Sequence, residues 1–431
     1  MFPLREKKTK SDEMINVHVG AEKNLKSWGA SNAALVALDP KTGQILSMVG
    51  SKDYFDKSID GHIMDYKTNK QEFNDYDIVV LHTFIHNKLS PERNLERIKW
   101  LKGKGKIVIV DFDDYWEPDM RHPMYLQAKQ GGIVKMKMDL LKAGDYVTVT
   151  TPIFRDTIYK KFGIKNVLVF PNAIDETESQ FKPKPIPSNK IRFGWLGGSS
   201  HLSDIELMSG GIAVAHDTFK DKVQFVLCGF DLRGTITEIN KQTNEKKTRP
   251  IKPEETVWYK YEKIFTNNYT VLDKDYLNFL NTFKELEYPD RDKPYVRRWT
   301  KEMSKYATNY NYFDVSLAPL VSSTFNGNKS QLKVIEAGFH KKALIASETD
   351  PYTIDLISMT QKGGGYNPIG NSLLVEPSKN HKQWFQHMKR LVENPHMIED
   401  LGNRLYETVK DTYSLRKVTE DRVQFFKSII K

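Results

Sequence analysis

The sequence of 431 residues lacks the features that mark several common classes of protein. Its one cysteine, Cys228, excludes an intramolecular disulfide and any zinc or iron–sulfur site built from several cysteines. No apolar stretch approaches the ~18 residues that a membrane-spanning helix needs. The charged start of the chain leads into no apolar segment typical of a signal peptide. We therefore expect a cytoplasmic protein, and peripheral contact with the inner face of an anionic membrane stays open.

The composition is that of a folded protein with anionic partners. Apolar residues make up 39% of the chain, with 22 Phe, 20 Tyr and 7 Trp, and a disordered chain could not bury surface of this kind. At ~100–200 residues per domain the length predicts two or three domains. The chain carries 65 Lys and Arg against 55 Asp and Glu, a net charge of +10, which favours anionic partners such as nucleotides, phosphorylated lipids or nucleic acid.

Short apolar segments alternate with amphipathic stretches of helical length over residues 77–175 and again from residue 191. Continuous apolar strands that alternate with helices predict parallel sheets covered on both faces, the α/β class. Between the two halves, residues 176–190 contain three prolines at alternating positions and almost nothing to bury, which predicts a linker. Residues 240–253 have five basic residues against one acid and predict a solvated insertion.

The first 62 residues do not follow this alternation. Two apolar segments, 33–39 and 44–50, flank a Pro-Lys-Thr-Gly turn. Two short apolar strands around such a turn predict a β-hairpin.

The clearest candidate site lies at residues 325–338, where a loop of small residues precedes a predicted helix from Lys329 to Gly338. The first turn of a helix favours a phosphate, because its N–H groups are unpaired and its dipole is positive there. Lys329 and Lys333 are four residues apart, so we expect them on one face of that helix. Glu336 could accept hydrogen bonds from ribose hydroxyls. The alternative is a capped surface helix with solvated lysines.

A second glycine-rich loop occurs at residues 194–201, at the end of the first strand of the second half. Its glycines allow the backbone to approach a ligand closely. The loop lacks the full dinucleotide-binding pattern and the P-loop lysine, so its sequence alone is a weak indication of a binding site. Its expected position on the same sheet edge as the 325–338 turn strengthens that indication.

Acidic residues cluster after the strand at 106–111, in the sequence Asp-Phe-Asp-Asp-Tyr-Trp-Glu (111–117). Acids at the end of a strand could hold Mg²⁺ or Mn²⁺ beside a diphosphate or position acceptor hydroxyls. They could equally cap the next segment and pair with nearby basic residues. Residues 291–305 carry six basic residues together with Tyr295 and Trp299. This stretch favours either nucleic-acid contact or a solvated helix face beside an anionic substrate.

From about residue 75 to the C-terminus, the sequence resembles a GT-B glycosyltransferase of the large retaining family that includes sucrose and glycogen synthases. The resemblance rests on the order and spacing of residues 108–116, 145–152, 166–175, 192–198, 313–320 and 328–338. It implies two Rossmann-like domains that face each other across a cleft, with an extra N-terminal β-hairpin. The implied divisions are an extension (1–62), an acceptor domain (63–175), a linker (176–190), a donor domain (191–412) and a C-terminal helix (413–431) that packs back toward the first domain.

The resemblance also implies where the substrates bind. The family's Glu-x₇-Glu pair is half present, because Glu336 matches the second acid and Asn328 stands where the first would be. In the family, a basic pair after the first strand of the donor domain commonly binds the diphosphate. This pair is missing from residues 197–205, and Lys329 and Lys333 could take its place. The expected donor-binding residues are Gly197, Gly198, Ser199, Asn328, Lys329, Ser330, Lys333 and Glu336. The expected catalytic residues are Asp113, Asp114, Lys329 and Glu336, and Asp111, Asp113, Trp116 and His122 form the expected acceptor side.

A second, shorter resemblance covers residues 29–56, which are similar to the opening hairpin of penicillin-binding-protein transpeptidase domains. The Ser-x-x-Lys nucleophile motif does not follow within a few tens of residues. We therefore expect a fragment without catalytic parts.

The GT-B resemblance implies an enzyme that moves a sugar from a nucleotide-sugar donor, UDP- or GDP-linked, to a glycan, lipid-linked or protein acceptor of the cell envelope. We expect a retaining reaction without a metal or other cofactor and without nucleic acid. Two alternatives remain. One is a metal-dependent transferase that uses the Asp-x-Asp of Asp111 and Asp113, and the other is a non-catalytic sugar- or cell-wall-binding protein.

Overall fold

The computed structural model describes residues 35–38, 45–49, 77–82, 91–120, 122, 125–130, 132–239, 243, 245–266, 293–360 and 365–430. Over these residues the chain forms two parallel sheets flanked by helices. The expected α/β class with two Rossmann-like domains is confirmed. None of the described helices is long and apolar enough to cross a membrane.

The first sheet has four parallel strands in the order β3-β4-β5-β6. Its elements in chain order are β3 (Ile78–His82), α1 (Pro91–Gly103), β4 (Ile107–Phe112), α2 (Tyr125–Gln130), α3 (Ile133–Ala143), β5 (Tyr146–Val149), α4 (Pro152–Phe162) and β6 (Val167–Val169). Helix α4 begins as its sequence dictates, because the Thr151 side chain accepts the Phe154 N–H and Pro152 occupies the first turn. It ends at Gly163, whose φ of 70° suits a residue without Cβ.

The second sheet has six parallel strands in the order β11-β8-β7-β12-β13-β14. Its strands are β7 (Ile191–Leu196), β8 (Val223–Phe230), β11 (Tyr295–Trp299), β12 (Val315–Ala318), β13 (Ala343–Ser347) and β14 (Leu373–Val375). The covering helices are α5 (Leu202–Glu206), α6 (Ser209–Phe219), α7 (Val257–Phe265), α8 (Thr324–Gly327), α9 (Leu332–Phe339), α10 (Asn380–Glu393) and α11 (His396–Val409). Strands β7 and β12 are neighbours, so the loops that follow them share one edge of the sheet.

Two further sheets are two-stranded antiparallel hairpins. Strands β1 (Leu35–Leu38) and β2 (Ile45–Val49) form the hairpin that the sequence predicts near the N-terminus. The rest of the region that resembles a transpeptidase hairpin lies outside the described residues. Strands β9 (Thr235–Ile239) and β10 (Lys246–Pro250) form the second hairpin in the predicted insertion, where most described side chains are exposed.

Two stretches differ from their sequence-based expectations. The proline-rich segment 176–190 is expected to bury almost nothing, but Phe181 is buried and packs in the core with Val334 and Phe339, which anchors this segment to the second sheet. The basic stretch 291–305 contains the edge strand β11 rather than a solvated helix face. Arg297 is 3% exposed and its guanidinium donates two hydrogen bonds to Glu262 of α7, because a buried cation requires a paired acid.

The last helix, α12 (Leu415–Ile429), returns to the first sheet. Ser414 caps it through the Lys417 N–H, and Ser414 also forms a parallel bridge with Ile174 at the end of the first half. Phe426 packs with Ile78 and Ile109 of the first sheet. The chain therefore crosses twice between the two sheets, once before β7 and once after α11.

Candidate functional site

The glycine loop after β7 brings backbone to an open part of the sheet edge. A Cβ at Gly197 would lie 2.5 Å from the Trp195 ring, so this position requires glycine. A Cβ at Gly198 would meet nothing within 4 Å, and Gly198 and Ser199 are exposed. A ligand could therefore reach the backbone at this loop, as its sequence predicts.

The loop after β12 differs from its prediction. Helix α9 begins at Leu332, so Lys329 and Ser330 lie in the preceding loop and not on the helix with Lys333. The expectation that both lysines share a helix face is wrong. The loop instead follows the short helix α8, in which the Ser323 hydroxyl accepts the Asn326 N–H. The physical reason is local, since Ser323 and its cap begin a separate turn before α9 starts.

Lys329 and Ser330 meet the first half of the chain. Lys329 Nζ lies 4.7 Å from the centre of the Phe325 ring, and the His122 ring centre lies 4.9 Å from the same ring. Phe325 itself packs in the hydrophobic core of the first sheet. Asn172 Nδ2 donates to Ser330 Oγ at 2.9 Å. The structure therefore brings His122, predicted on the acceptor side, next to Lys329, predicted on the donor side.

Asn328, which stands where the resembled family has its first acid, is 2% exposed. Its Nδ2 donates to the Thr324 carbonyl at 2.6 Å. Its Oδ1 is buried and has no hydrogen-bond partner in the described part of the chain. A buried amide oxygen without a partner is costly, so this atom is a candidate acceptor for a ligand hydroxyl.

Lys333 is held beneath the glycine loop. Its Nζ donates to the Leu196 carbonyl and lies 5.2 Å from the centre of the Trp195 ring. It is also 3.1 Å from the position that a Cβ of Gly197 would take. Burial lowers the pKa of Lys333, and Glu336 and Asp204 oppose this shift. The amino group of Lys333 is therefore held close to the backbone of Gly197 at this sheet edge.

Glu336 is 5% exposed and both of its oxygens are engaged. Tyr306 donates to Oε1 at 2.5 Å and Tyr310 donates to Oε2 at 2.9 Å, both from the 3₁₀ helix Tyr306–Tyr312. Burial raises the pKa of Glu336, whereas the two hydroxyls and Lys333 act in the other direction. Each carboxylate oxygen has a second lone pair, so Glu336 retains acceptor capacity beyond the tyrosines.

The acidic cluster at the end of β4 is less enclosed. Asp111 accepts a 2.5 Å hydrogen bond from the Thr148 hydroxyl, whereas Asp113 and Asp114 are exposed. Burial lowers the pKa of nearby Lys137 to about 8, and the charges of Asp113 and Asp114 oppose this shift. In the described part of the chain, no group of three or more His, Cys, Asp or Glu is arranged to hold a metal ion.

Trp116 corrects the expected acceptor side. It is 6% exposed and stacks on Phe162 at 5.7 Å in the core of the first half, where its large apolar surface is removed from water. His122, in contrast, sits at the contact between the two halves. Burial lowers the pKa of His122, and the charges of Lys329 and His201 lower it further.

The sequence analysis missed His201 and Asp204 at this edge. His201 Nδ1 lies 2.8 Å from Asp204 Oδ2, and Asp204 Oδ1 accepts the Val321 N–H at 2.7 Å. The available signal was the spacing of three residues directly after the glycine loop, which places a carboxylate beside an imidazole at the start of a helix.

The fold is similar to those of several solved structures. It is similar to sucrose-phosphate synthase from Thermosynechococcus elongatus with a TM-score of 0.56 and 12% identity, covering 93% of this chain and 86% of that one. It is also similar to Anabaena HepE in complex with UDP, with a TM-score of 0.52 and 11% identity over 83% and 80% of the two chains. HepE with UDP and glucose gives the same TM-score at 10% identity. No protein-family model matches the chain, and no characterised protein matches it by sequence. The fold is therefore of the GT-B type.

Proposed function

We propose that the protein is a glycosyltransferase that transfers a sugar from a nucleotide-sugar donor to an acceptor. The observation that carries the proposal is the convergence of an open glycine loop, two lysines and a buried acid at one edge of the second sheet. Gly198 offers accessible backbone, Lys329 and Lys333 offer positive charge, and Glu336 offers a carboxylate. The similarity of the fold to HepE, which was solved with UDP and with UDP-glucose, supports a uridine nucleotide as the first donor to test.

The charge at this edge suits the leaving group. When the bond between sugar and phosphate breaks, negative charge develops on the nucleoside diphosphate, and fixed cations in a site partly closed to water stabilise it. Lys329 and Lys333 supply this charge in our proposal. Asn328 Oδ1 and Glu336 accept hydroxyl groups of the sugar and ribose, and the backbone of Gly197, Gly198 and Ser199 borders the phosphates.

The acceptor then binds on the side of the first sheet. His122 on that side contacts the same Phe325 ring as Lys329, and Asp111, Asp113 and Asp114 lie at the end of β4. We propose domain divisions at 63–175, 176–190, 191–412 and 413–431 for this arrangement; the start of the first division lies outside the described residues. We further propose a retaining, metal-independent reaction in the cytoplasm on a glycan, lipid-linked or protein acceptor of the cell envelope.

A thermal-shift panel tests the proposal. UDP, GDP, ADP and CDP, and then UDP-glucose and other nucleotide sugars, are added in the presence of EDTA. A ligand that binds only the folded state stabilises it by RT ln(1 + [L]/Kd), so the melting temperature rises with the logarithm of the ligand concentration once that concentration exceeds Kd. We expect one nucleoside diphosphate to raise it and the others to have little effect. Free uridine is the matched control for UDP. It lacks the phosphates, so it should leave the melting temperature unchanged.

Turnover is the second measurement. Release of nucleoside diphosphate from the best donor is followed with water and with sugar acceptors. A protein that binds the nucleotide sugar and releases nothing with any acceptor would favour the sugar-binding alternative. The exposure of Asp113 and Asp114 favours one further candidate, a metal-dependent transferase, which predicts that Mn²⁺ is required for nucleotide binding.

A further inference from the structure

His201 is the one imidazole that stands directly after the glycine loop. Its backbone N–H donates to the Tyr261 hydroxyl at 2.8 Å, and the same hydroxyl donates to the Gly198 carbonyl at 3.2 Å. The position of His201 is therefore tied to the loop that borders the proposed phosphate position. Its side chain is 20% exposed, so the ring is not sealed in the core.

Asp204 fixes the orientation of this imidazole. The 2.8 Å contact joins Nδ1 to Asp204 Oδ2, while the other oxygen of Asp204 accepts the Val321 N–H. Asp204 is 5% exposed and is thereby held on two sides. Because the carboxylate accepts a hydrogen from Nδ1, Nε2 is the nitrogen left to meet a ligand.

Charges from four segments face this ring. Asp204 is on its own helix, Lys333 is on α9, Lys329 is in the loop before α9, and His122 comes from the first half of the chain. Tyr261 of α7 contributes a hydroxyl whose pKa is itself raised by burial. Burial lowers the pKa of His201; Asp204 raises it, and the two lysines lower it again. The free imidazole is consequently neutral near pH 7.5, with an unprotonated Nε2.

We propose that His201 Nε2 binds the diphosphate of the nucleotide donor and takes up a proton from solvent as that anion arrives. This inference rests on the proposed function and assigns to its donor site a residue outside the expected set. The physical basis is that a diphosphate adds negative charge beside a ring whose pKa is lowered by burial and by two lysines, and this added charge favours the imidazolium. The proton then lies on Nε2 and is donated to a phosphate oxygen, forming a charge-assisted hydrogen bond.

Two substitutions separate the roles of the two ring nitrogens. In His201→Asn the side-chain amide nitrogen can take the place of Nδ1 and keep the bond to Asp204, while Nε2 is removed. In His201→Gln the amide nitrogen reaches toward the place of Nε2 without a titrating group. His396→Gln is the matched control, because His396 is exposed at the start of α11.

The experiment is calorimetry of UDP binding at pH 7.5 with EDTA, in buffers that differ in their heat of ionisation. The dependence of the observed heat on the buffer gives the number of protons taken up. We expect the wild type and His396→Gln to take up a fraction of a proton for each UDP, and both His201 variants to take up almost none. His201→Asn should bind UDP about 10- to 100-fold more weakly, as expected for the loss of a charge-assisted hydrogen bond, and His201→Gln should lose less.

His122 is the competing site for the proton, and His122→Gln decides between them. Proton uptake that survives in His122→Gln and vanishes in both His201 variants supports the proposal. Uptake that is unchanged in His201→Asn, or lost only in His122→Gln, overturns it. Wild-type binding of UDP without proton uptake also overturns it while leaving the proposed function standing. If no nucleoside diphosphate in the panel binds, both proposals fall. Urea unfolding of each variant shows that the compared proteins are folded.

Discussion

The two ends of the proposed site differ in how firmly the fold holds their acids. On the second sheet, Glu336 is buried and both oxygens accept hydrogen bonds from tyrosines. On the first sheet, Asp113 and Asp114 are exposed beyond the end of β4. A buried carboxylate that is hydrogen-bonded on both oxygens loses hydration that its partners must offset, whereas an exposed carboxylate keeps most of its hydration. In our proposal the donor side, with Glu336, is therefore held in place by the fold, whereas the acceptor side, with Asp113 and Asp114, is the more exposed of the two.

The largest effect is expected for Glu336→Ala, which tests whether the fold holds Glu336 as firmly as the comparison states. The substitution leaves the Tyr306 and Tyr310 hydroxyls without their acceptor, and an unpaired buried hydroxyl costs about 1–3 kcal/mol. We expect the free energy of unfolding to fall by about 2 kcal/mol or more, measured by urea denaturation. The control Glu407→Ala removes an exposed glutamate of α11 that pairs with Lys410, and should change stability by less than about 1 kcal/mol. Equal effects of the two variants would show that Glu336 is not firmly held.

Lys329→Ala tests the donor side without disturbing its core. Lys329 is partly exposed and contacts the Phe325 ring, so its removal should leave stability nearly unchanged. The loss of a charge-assisted contact to phosphate is worth about 1.5–3 kcal/mol, or roughly a 10- to 100-fold weaker Kd for the best nucleoside diphosphate. Calorimetry measures this change, and Lys382→Ala on the exposed face of α10 is the control. Unchanged affinity would remove Lys329 from the site.

Lowering the pH should reduce the stability of the tightly packed second half, because its buried histidines are protonated more easily in the unfolded chain. His340 is 1% exposed, stacks on Tyr310 at 4.7 Å, and burial lowers its pKa to about 3. The unfolded chain, with a pKa near 6.5, therefore takes up the proton first as the pH falls. Stability is present above pH ~6.5 and is lost progressively below it, by about 2 kcal/mol at pH 5 for this residue.

The variant His340→Phe keeps the aromatic stack and removes the titrating group. We expect its free energy of unfolding to fall less between pH 7 and pH 5 than that of the wild type, by about the same 2 kcal/mol. Urea denaturation at the two pH values gives the difference. His396→Gln should keep the slope of the wild type, because His396 is exposed. A wild-type slope in His340→Phe would contradict the prediction.

The smallest effect is expected on the exposed side. Asp113→Asn changes a solvated carboxylate, so stability should change by less than about 0.5 kcal/mol. If the reaction is independent of metal, EDTA should leave turnover intact and the variant should retain nucleotide affinity. Loss of turnover in EDTA that Mn²⁺ restores, together with the same loss in Asp113→Asn, would establish the metal-dependent alternative and reverse the comparison between the two sides.

Local signals in the sequence predicted much of the fold. The hairpin of β1 and β2 lies within the two apolar segments 33–39 and 44–50, where the sequence predicts it. The alternation of strands and helices also predicted two parallel sheets. Strand β11 was not predicted, because arginines in a sequence indicate a solvated segment. In the fold, Arg297 is instead paired with Glu262, which lies 35 residues earlier in the chain. Propensity cannot report such a partner, since the pairing exists only in the folded chain.

The candidate site divides in the same way. The sequence by itself determined that glycines at 197 and 198 follow a buried strand and that Lys333 and Glu336 lie a helical turn apart, because spacing and residue type are local properties. Only the tertiary structure decided that Lys329 precedes α9 and shares a contact on Phe325 with His122. It also decided that Trp116 lies in the core and that Asp204 orients His201. These contacts join segments distant in the chain or depend on how a loop packs, and packing against distant segments is settled by the whole fold at once.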